Sequence, residues 1–229
     1  MSVDLLVVGA SGGTNVGESL YVAASEIGVA ASLVDVKAAW AGSSLVRRFC
    51  WHFLGHRPPR LGRFGEHLVS RAKELRPRWV LAVGIAPLNV RTVRALRAQG
   101  IRVLNFLTDD PWNPAQHAPW ALRALREMDC VISPRRGNMA DLQRLGCRQV
   151  RYVPFGYDLR HAFREAPDPA LASDVLFVGG ADADRAPWIA ALFEAGLNVG
   201  LYGDYWDRFP ATRRPPPGRA LLRSVRTRR

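Results

Sequence analysis

VDLLVVGASGGTNVGES, residues 3–19, decides how this chain folds. An apolar run, Val3–Val8, leads straight into glycines, and a helical pattern begins at Val16. A short β-branched run that ends on glycines and opens a helix is the first half of a βαβ unit. Inside it, GGTNVGES (Gly12 to Ser19) matches the phosphate-cradling pattern G-x-x-x-x-G-K-[ST] at every fixed position but one. Glu18 stands where the lysine belongs. That lysine reaches the β- and γ-phosphates, so a carboxylate there sets like charges together. At 4 Å and an effective dielectric of 20 the repulsion is about 4 kcal/mol, which argues against a Walker-type ATPase. The dinucleotide fingerprint fails too, because Gly9, Gly12 and Gly13 read G-x-x-G-G. Two readings stay open: a loose turn on the ligand-binding edge of a sheet, or a tight turn that lets the helix pack closely.

Outward from this stretch the alternation continues. The pattern predicts a helix over 16–27, a strand over 31–36, and helices over 39–54 and 64–75, the last two separated by the loop GHRPPRLGR. Strands follow at 79–83, 101–107, 130–133 and 149–153, with helices between them at 87–98, 117–127 and 138–145. Short apolar strands alternating with helices imply a parallel sheet covered on both faces, joined by right-handed crossovers. The expected fold class is α/β: a Rossmann-like, doubly wound domain over 1–165, its strands ending near 154. A Pro/Ala linker then opens a second unit, 166–207. It holds one βαβ: strand and glycines in DVLFVGG (174–180), a helix over 186–195, and a strand over 198–202. One such unit is small for an independent core, so this domain reads as incomplete. Residues 208–229, rich in Arg and Pro, are expected to be a disordered tail.

That tail carries most of the charge. The net charge is +12, with 32 Lys+Arg against 20 Asp+Glu. Residues 208–229 hold eight arginines and no acid, which leaves +4 for the rest. A basic tail attracts polyanions without specificity, and no specific nucleic-acid site is expected. Arg91, Arg94 and Arg97 alternate with Val90, Val93 and Leu96, as on a helix with one solvated and one buried face. No apolar run approaches the roughly 18 residues of a membrane span, and the N-terminus lacks a basic secretory leader. Three cysteines without C-x-x-C spacing, Cys50, Cys130 and Cys147, suggest a reducing, cytoplasmic setting and no zinc. The five histidines show no metal spacing, so neither metal nor cofactor is expected.

Candidate site residues gather at strand ends. TDDPWN (108–113) follows a strand and sets Asp109 and Asp110 beside Trp112 and Asn113. A strand-end carboxylate can act as a general base, and an indole can stack on a sugar ring. The alternative is an ordinary helix start, Asp before Pro. SPRRGN (133–138) offers Arg135 and Arg136 to an anion or to solvent. VPFGYD (153–158) sits at the handover between units, where Tyr157 can face a cleft or simply pack. In FVGG (177–180), Gly179 and Gly180 allow close backbone approach.

The strings VRALRAQGIRVLNFLTDDPWN, MDCVISPRRGNMADLQRLGCRQVRYVPFGYD and DVLFVGGADADRAPWIAALFEAGLNVGLYGDYW, in that order, resemble the CgeB-like (spore maturation protein) glycosyltransferases. The likeness covers about residues 1–207 and is strongest from 76 onward. It implies a GT-B protein: two Rossmann-like domains, the first mostly for the acceptor and the second mostly for a nucleotide-sugar donor. Mapped here, Gly12, Gly13 and Thr14 would line the acceptor side. Asp109, Asp110, Trp112, Asn113 and Tyr157 would face the same cleft. Gly179 and Gly180 would sit near the donor phosphates. Asp110 is the expected base, with Asp109 beside it. The chain departs from the family after Trp206, where the rest of the donor domain is missing and the composition shifts abruptly, as a truncation or frameshift would produce. The expected function is transfer of a sugar from a nucleotide-sugar to an acceptor the sequence does not name. The alternative is a non-catalytic acceptor-binding module, and the half-built second domain is a candidate surface for self-association.

Overall fold

The computed structural model describes residues 3–13, 15–160, 166 and 168–212. The chain divides into two units, Met1–Ala162 and Phe163–Arg229. In the first, strands β1 (Leu5–Gly9), β2 (Ala31–Asp35), β3 (Trp79–Val83), β4 (Arg102–Phe106), β5 (Cys130–Ser133) and β6 (Val150–Tyr152) form one sheet in the order β2-β1-β3-β4-β5-β6. Every pairing is parallel. This is the Rossmann-like, doubly wound α/β architecture that the alternation implies.

Strand register sorts the side chains into two faces. Leu6, Val8, Val80, Ala82, Val103 and Val131 share one face and are fully buried. Against them pack α3 (Leu61–Leu75) through Phe64, Leu68 and Ala72, α4 (Val90–Arg97) through Val93 and Leu96, α5 (Pro119–Leu125) through Leu125, and α6 (Asn138–Leu145) through Leu142. The opposite face carries Val7, Leu81, Leu104 and Ile132. There, α1 (Val16–Glu26) lies over β1 and β2, while Leu81, Leu104 and Ile132 stay only half-buried. Strand order reverses between β1 and β3, and ligands of open α/β sheets sit at the carboxyl ends beside such a switch.

One long helix expected over 39–54 is instead two pieces. A 3-10 turn spans Val36–Trp40, and α2 (Ser44–Phe53) follows it. The break has a local cause. Gly42 has φ +154, and the Ser43 hydroxyl accepts the Val46 N–H at 3.4 Å, which starts a new helix.

The second unit pairs β7 (Val175–Val178) with β8 (Val199–Tyr202) in parallel, with α7 (Ala186–Glu194) between them. Its core is Ile189, Phe193, Val199, Leu201 and Trp206. Trp206 stands edge-on to Phe177 at 5.6 Å, and its indole N–H donates to the Gly179 carbonyl at 2.9 Å. Among the described residues only one face of the strand pair is covered: Leu176 and Val178 are 62% and 73% exposed on the other. Ordered 3-10 turns continue past Trp206 to Thr212, which is buried and donates to the Phe209 carbonyl at 2.7 Å. Of the tail expected at 208–229, residues 213–229 lie outside the described residues.

Candidate functional site

The glycine loop after β1 is held by the chain's own polar groups. Gly12 and Gly13 turn with φ +79 and +60, which glycine adopts without strain. The Gly12 N–H donates to the Glu18 carboxylate at 3.4 Å, and the Asn15 amide donates to the Gly12 carbonyl. Glu18 thus presents a carboxylate to an amide that a phosphate would otherwise meet. Gly9 and Gly17 are set so close that a Cβ on either would stand 2.8 Å from the other's Cα, so both serve helix-on-strand packing. Thr14 lies outside the described residues. On the far side of the loop, the Ser11 hydroxyl donates to Asp35, and the Lys37 ammonium donates to the Ser11 carbonyl at 2.8 Å. Burial works to raise the Asp35 pKa, but Ser11 and Lys37 outweigh it and hold the carboxyl below its ordinary value.

The TDDPWN segment leaves β4, two strand spacings from β1, or roughly 10 Å across the sheet. Gly84, at the end of β3, has φ +65, and a Cβ there would stand 3.1 Å from Thr108 Oγ1 and 3.5 Å from Asp109 Oδ2. That glycine lets the acidic turn close over the β3 end. Asp109 accepts from the Thr108 hydroxyl at 2.9 Å and from the Gln116 amide at 3.4 Å. Asp110 Oδ1 accepts the Trp112 N–H at 3.1 Å, a helix-start type of bond. Trp112 packs half-buried against the main core, and Asn113 uses its side-chain oxygen to accept the Ala115 N–H at 3.0 Å. Arg136, farther along the same edge, lies over the Tyr152 ring at 4.1 Å.

A hollow of this unit opens on the α1 face, where among the described residues the sheet carries no packed helix beyond β1. It measures about 810 Å³. Leu81, Phe106 and Ile132 floor it, α1 walls one side with Val16, Ser19 and Ala23, and residues 153–160 wall the other. Phe155 meets Phe106 edge-on at 5.7 Å. Tyr157 lines this hollow and is 79% exposed. A polar clasp joins the two walls: the Ser19 hydroxyl donates to Asp158 at 2.8 Å, and the Arg160 backbone N–H and guanidinium donate to the same carboxylate. Arg160, then Ser19, hold the Asp158 carboxyl well below the usual range. The cavity's size and apolar floor suit a small organic ligand.

In the second unit the glycines after β7 are also engaged. The Gly179 N–H donates to the Tyr202 carbonyl at 2.8 Å, and its carbonyl takes the Trp206 indole. The Gly180 carbonyl accepts from Arg185 at 2.8 Å. A Cβ at Gly203, φ +141, would stand 2.1 Å from the Gly179 carbonyl oxygen, so these two turns meet backbone to backbone. Asp182 accepts the Asp184 and Arg185 N–H groups at 3.1 and 2.8 Å, capping the start of α7.

The structure therefore joins Asp109 to the β3 end and places Tyr157 on the cavity, while Gly179 and Gly180 belong to a different unit. Ser19, Phe106, Asp158 and Arg160 were absent from the sequence-based set. Only the PFGYD string pointed at this wall, because Ser19 and Asp158 lie 139 residues apart. Cys130 and Cys147 are poor nucleophiles: burial pushes the Cys147 thiol up to about 11 and raises that of Cys130. Among the described residues no cluster of three His, Cys, Asp or Glu side chains is arranged to hold a metal ion.

No family model matches the sequence, and no curated protein does. Solved structures do. The UDP-GlcNAc 2-epimerase from Methanocaldococcus jannaschii superposes with a TM-score of 0.54 at 10% identity, over 93% of this chain and 67% of that one. The UDP-N-acetylglucosamine 2-epimerase from Rickettsia bellii gives 0.53 at 11% identity, over 93% of this chain and 65% of that one. This likeness is one of fold, and it puts the chain in the GT-B class of Rossmann-like architectures. The chain spans about two thirds of the length of these structures.

Proposed function

We propose that the chain is a nucleotide-sugar-dependent glycosyltransferase of the CgeB-like type, and that its first unit binds the acceptor in the cavity beside α1. The observation that carries this reading is the cavity itself: about 810 Å³, apolar below, polar at the Ser19–Asp158 clasp, and walled by the PFGYD string. In this reading residues 1–165 serve the acceptor and 166–207 begin the donor domain. Asp110 is the base that takes the acceptor hydroxyl proton. The Trp112 N–H fixes its Oδ1, and among the described residues no donor occupies Oδ2. Asp109 has both oxygens engaged and plays a supporting part. Asp158, tied to Arg160, is too weak a base for this step. Trp112 and Asn113 border the sugar, and Gly12, Gly13 and Thr14 close the acceptor side. Gly179 and Gly180 lie near the donor diphosphate, which backbone amides and arginines would stabilise as it leaves.

The names of the two superposed epimerases make UDP-GlcNAc the first donor to try. Product formation is assayed with UDP-, GDP- and dTDP-sugars. The expected result is turnover with one donor and a loss of about 10²–10⁴ in kcat for Asp110→Ala. Unchanged turnover in that variant removes Asp110 from the mechanism.

A second reading, an acceptor-binding module without catalysis, is favoured by the cavity's lining, all of which belongs to the first unit. Ligands that bind the native state raise Tm by mass action. If no nucleotide-sugar shifts the melting curve at high concentration, the module reading stands and the transferase reading falls.

A further inference from the structure

Helix α2 wears its apolar stripe on the outside. Leu45, Phe49 and Phe53 recur at i, i+4 and i+8, and Val46 broadens the stripe. On an ordinary surface helix such a stripe faces the core. Here Leu45 is 76%, Phe49 56%, Phe53 74% and Val46 48% exposed, and Cys50 is the one buried residue of the helix. The orientation is enforced from the other side. Trp51 packs on Trp40 at 5.7 Å and on His56 at 4.2 Å, and the Trp120 indole N–H donates to the Gly55 carbonyl at 3.1 Å. Single exposed apolar residues are common on any protein, whereas a contiguous stripe marks an interaction surface.

The charge around the stripe says what it meets. From Val36 to Gly65 there is no Asp or Glu, and the segment carries Lys37, Arg47, Arg48, Arg57, Arg60 and Arg63. The five arginines are exposed, and none forms a salt bridge with a described carboxylate. A second copy of the chain docked here about a two-fold axis would bring the same cations against themselves. An anionic lipid surface answers both features at once: large apolar side chains reach the acyl boundary while guanidinium groups stay among the phosphates. No helix among the described residues is long and apolar enough to cross a membrane, and a helix of this length lies in the interface plane. We propose that α2 and its flanking arginines seat the protein on anionic membrane surfaces.

The full chain is sedimented with vesicles of phosphatidylcholine alone or mixed with phosphatidylglycerol. Binding to the anionic vesicles should be at least tenfold tighter. The variant Leu45→Ser/Phe49→Ser/Phe53→Ser keeps every charge, including the arginines near the C-terminus, and should bind at least tenfold more weakly than wild type. Its stripe is exposed, so its circular dichroism and melting curve should match wild type. Equal vesicle binding by this variant means that charge alone attracts the chain and overturns the proposal. Light scattering provides the other decisive arm. A wild-type dimer that the serine variant dissolves, with no vesicle binding by either, assigns the stripe to self-association and overturns it as well.

Discussion

Asp158 ties the 153–160 wall to α1, and its state should set how that wall responds to pH. Its carboxylate is held below the ordinary range, first by Arg160 and then by Ser19. A depressed carboxylate stabilises the fold above its unfolded pKa of about 3.9, and the contribution is lost as pH falls through the folded value. Asp158→Asn should therefore lower Tm near neutral pH by a small amount, since the pair borders solvent. The gap between variant and wild type should close as pH drops below about 4. Melting curves of both proteins across that range check it. A gap that persists in acid would mean that the carboxylate contributes through packing rather than charge. The same economy of carboxylates recurs at two helix starts. Glu18 meets the glycine loop before α1, and Asp182 caps α7. Each supplies negative charge where a helix N-terminus favours it.

The helices α3 and α4 meet through a glycine. A Cβ at Gly65 would stand 2.1 Å from Thr92 Oγ1, and Thr92 is 4% exposed with its hydroxyl donating to Asn89 Oδ1 at 3.1 Å. Alanine inside a helix gains up to about 1 kcal/mol over glycine. Overpacking against a stiff β-branched side chain costs about 1–3 kcal/mol. The clash should win, so Gly65→Ala destabilises by about 1–2 kcal/mol in urea unfolding. Adding Thr92→Ala should recover part of that loss, which a mere change in helix propensity would not allow. Elements of this kind were legible where apolar spacing was strict: β1, β3 and β5 stand where their runs place them. The break before α2 was harder, because Gly42 and Ser43 interrupt a pattern that stays amphipathic on both sides. Spacing shows that α2 has an apolar stripe, yet it cannot show which way the stripe faces. That depends on Trp40, His56 and Trp120, which fix the opposite side. The cavity was illegible for a related reason, since Leu81, Phe106 and Ile132 become neighbours only through strand register.

At the scale of the whole chain, charge and core are distributed unevenly. Each unit has its own apolar cluster, one around Leu6 and Val80 and one around Ile189 and Trp206. The cations follow no such division. Seven of the 32 Lys+Arg lie beyond Thr212 with no acid among them, and without them the net charge of +12 falls to +5. The remaining excess is concentrated between Val36 and Gly65. Polyanion attraction grows with local cation density and weakens as salt shortens the screening length. Replacing the seven C-terminal arginines by glutamine in the full chain should make it leave a heparin column at clearly lower salt. It should still be retained, because the arginines around α2 are untouched. Elution at the wild-type position would assign the polyanion affinity to the α2 surface alone. Complete loss of retention would assign it to the C-terminal arginines alone, leaving α2 with too little charge to draw the chain to an anionic surface.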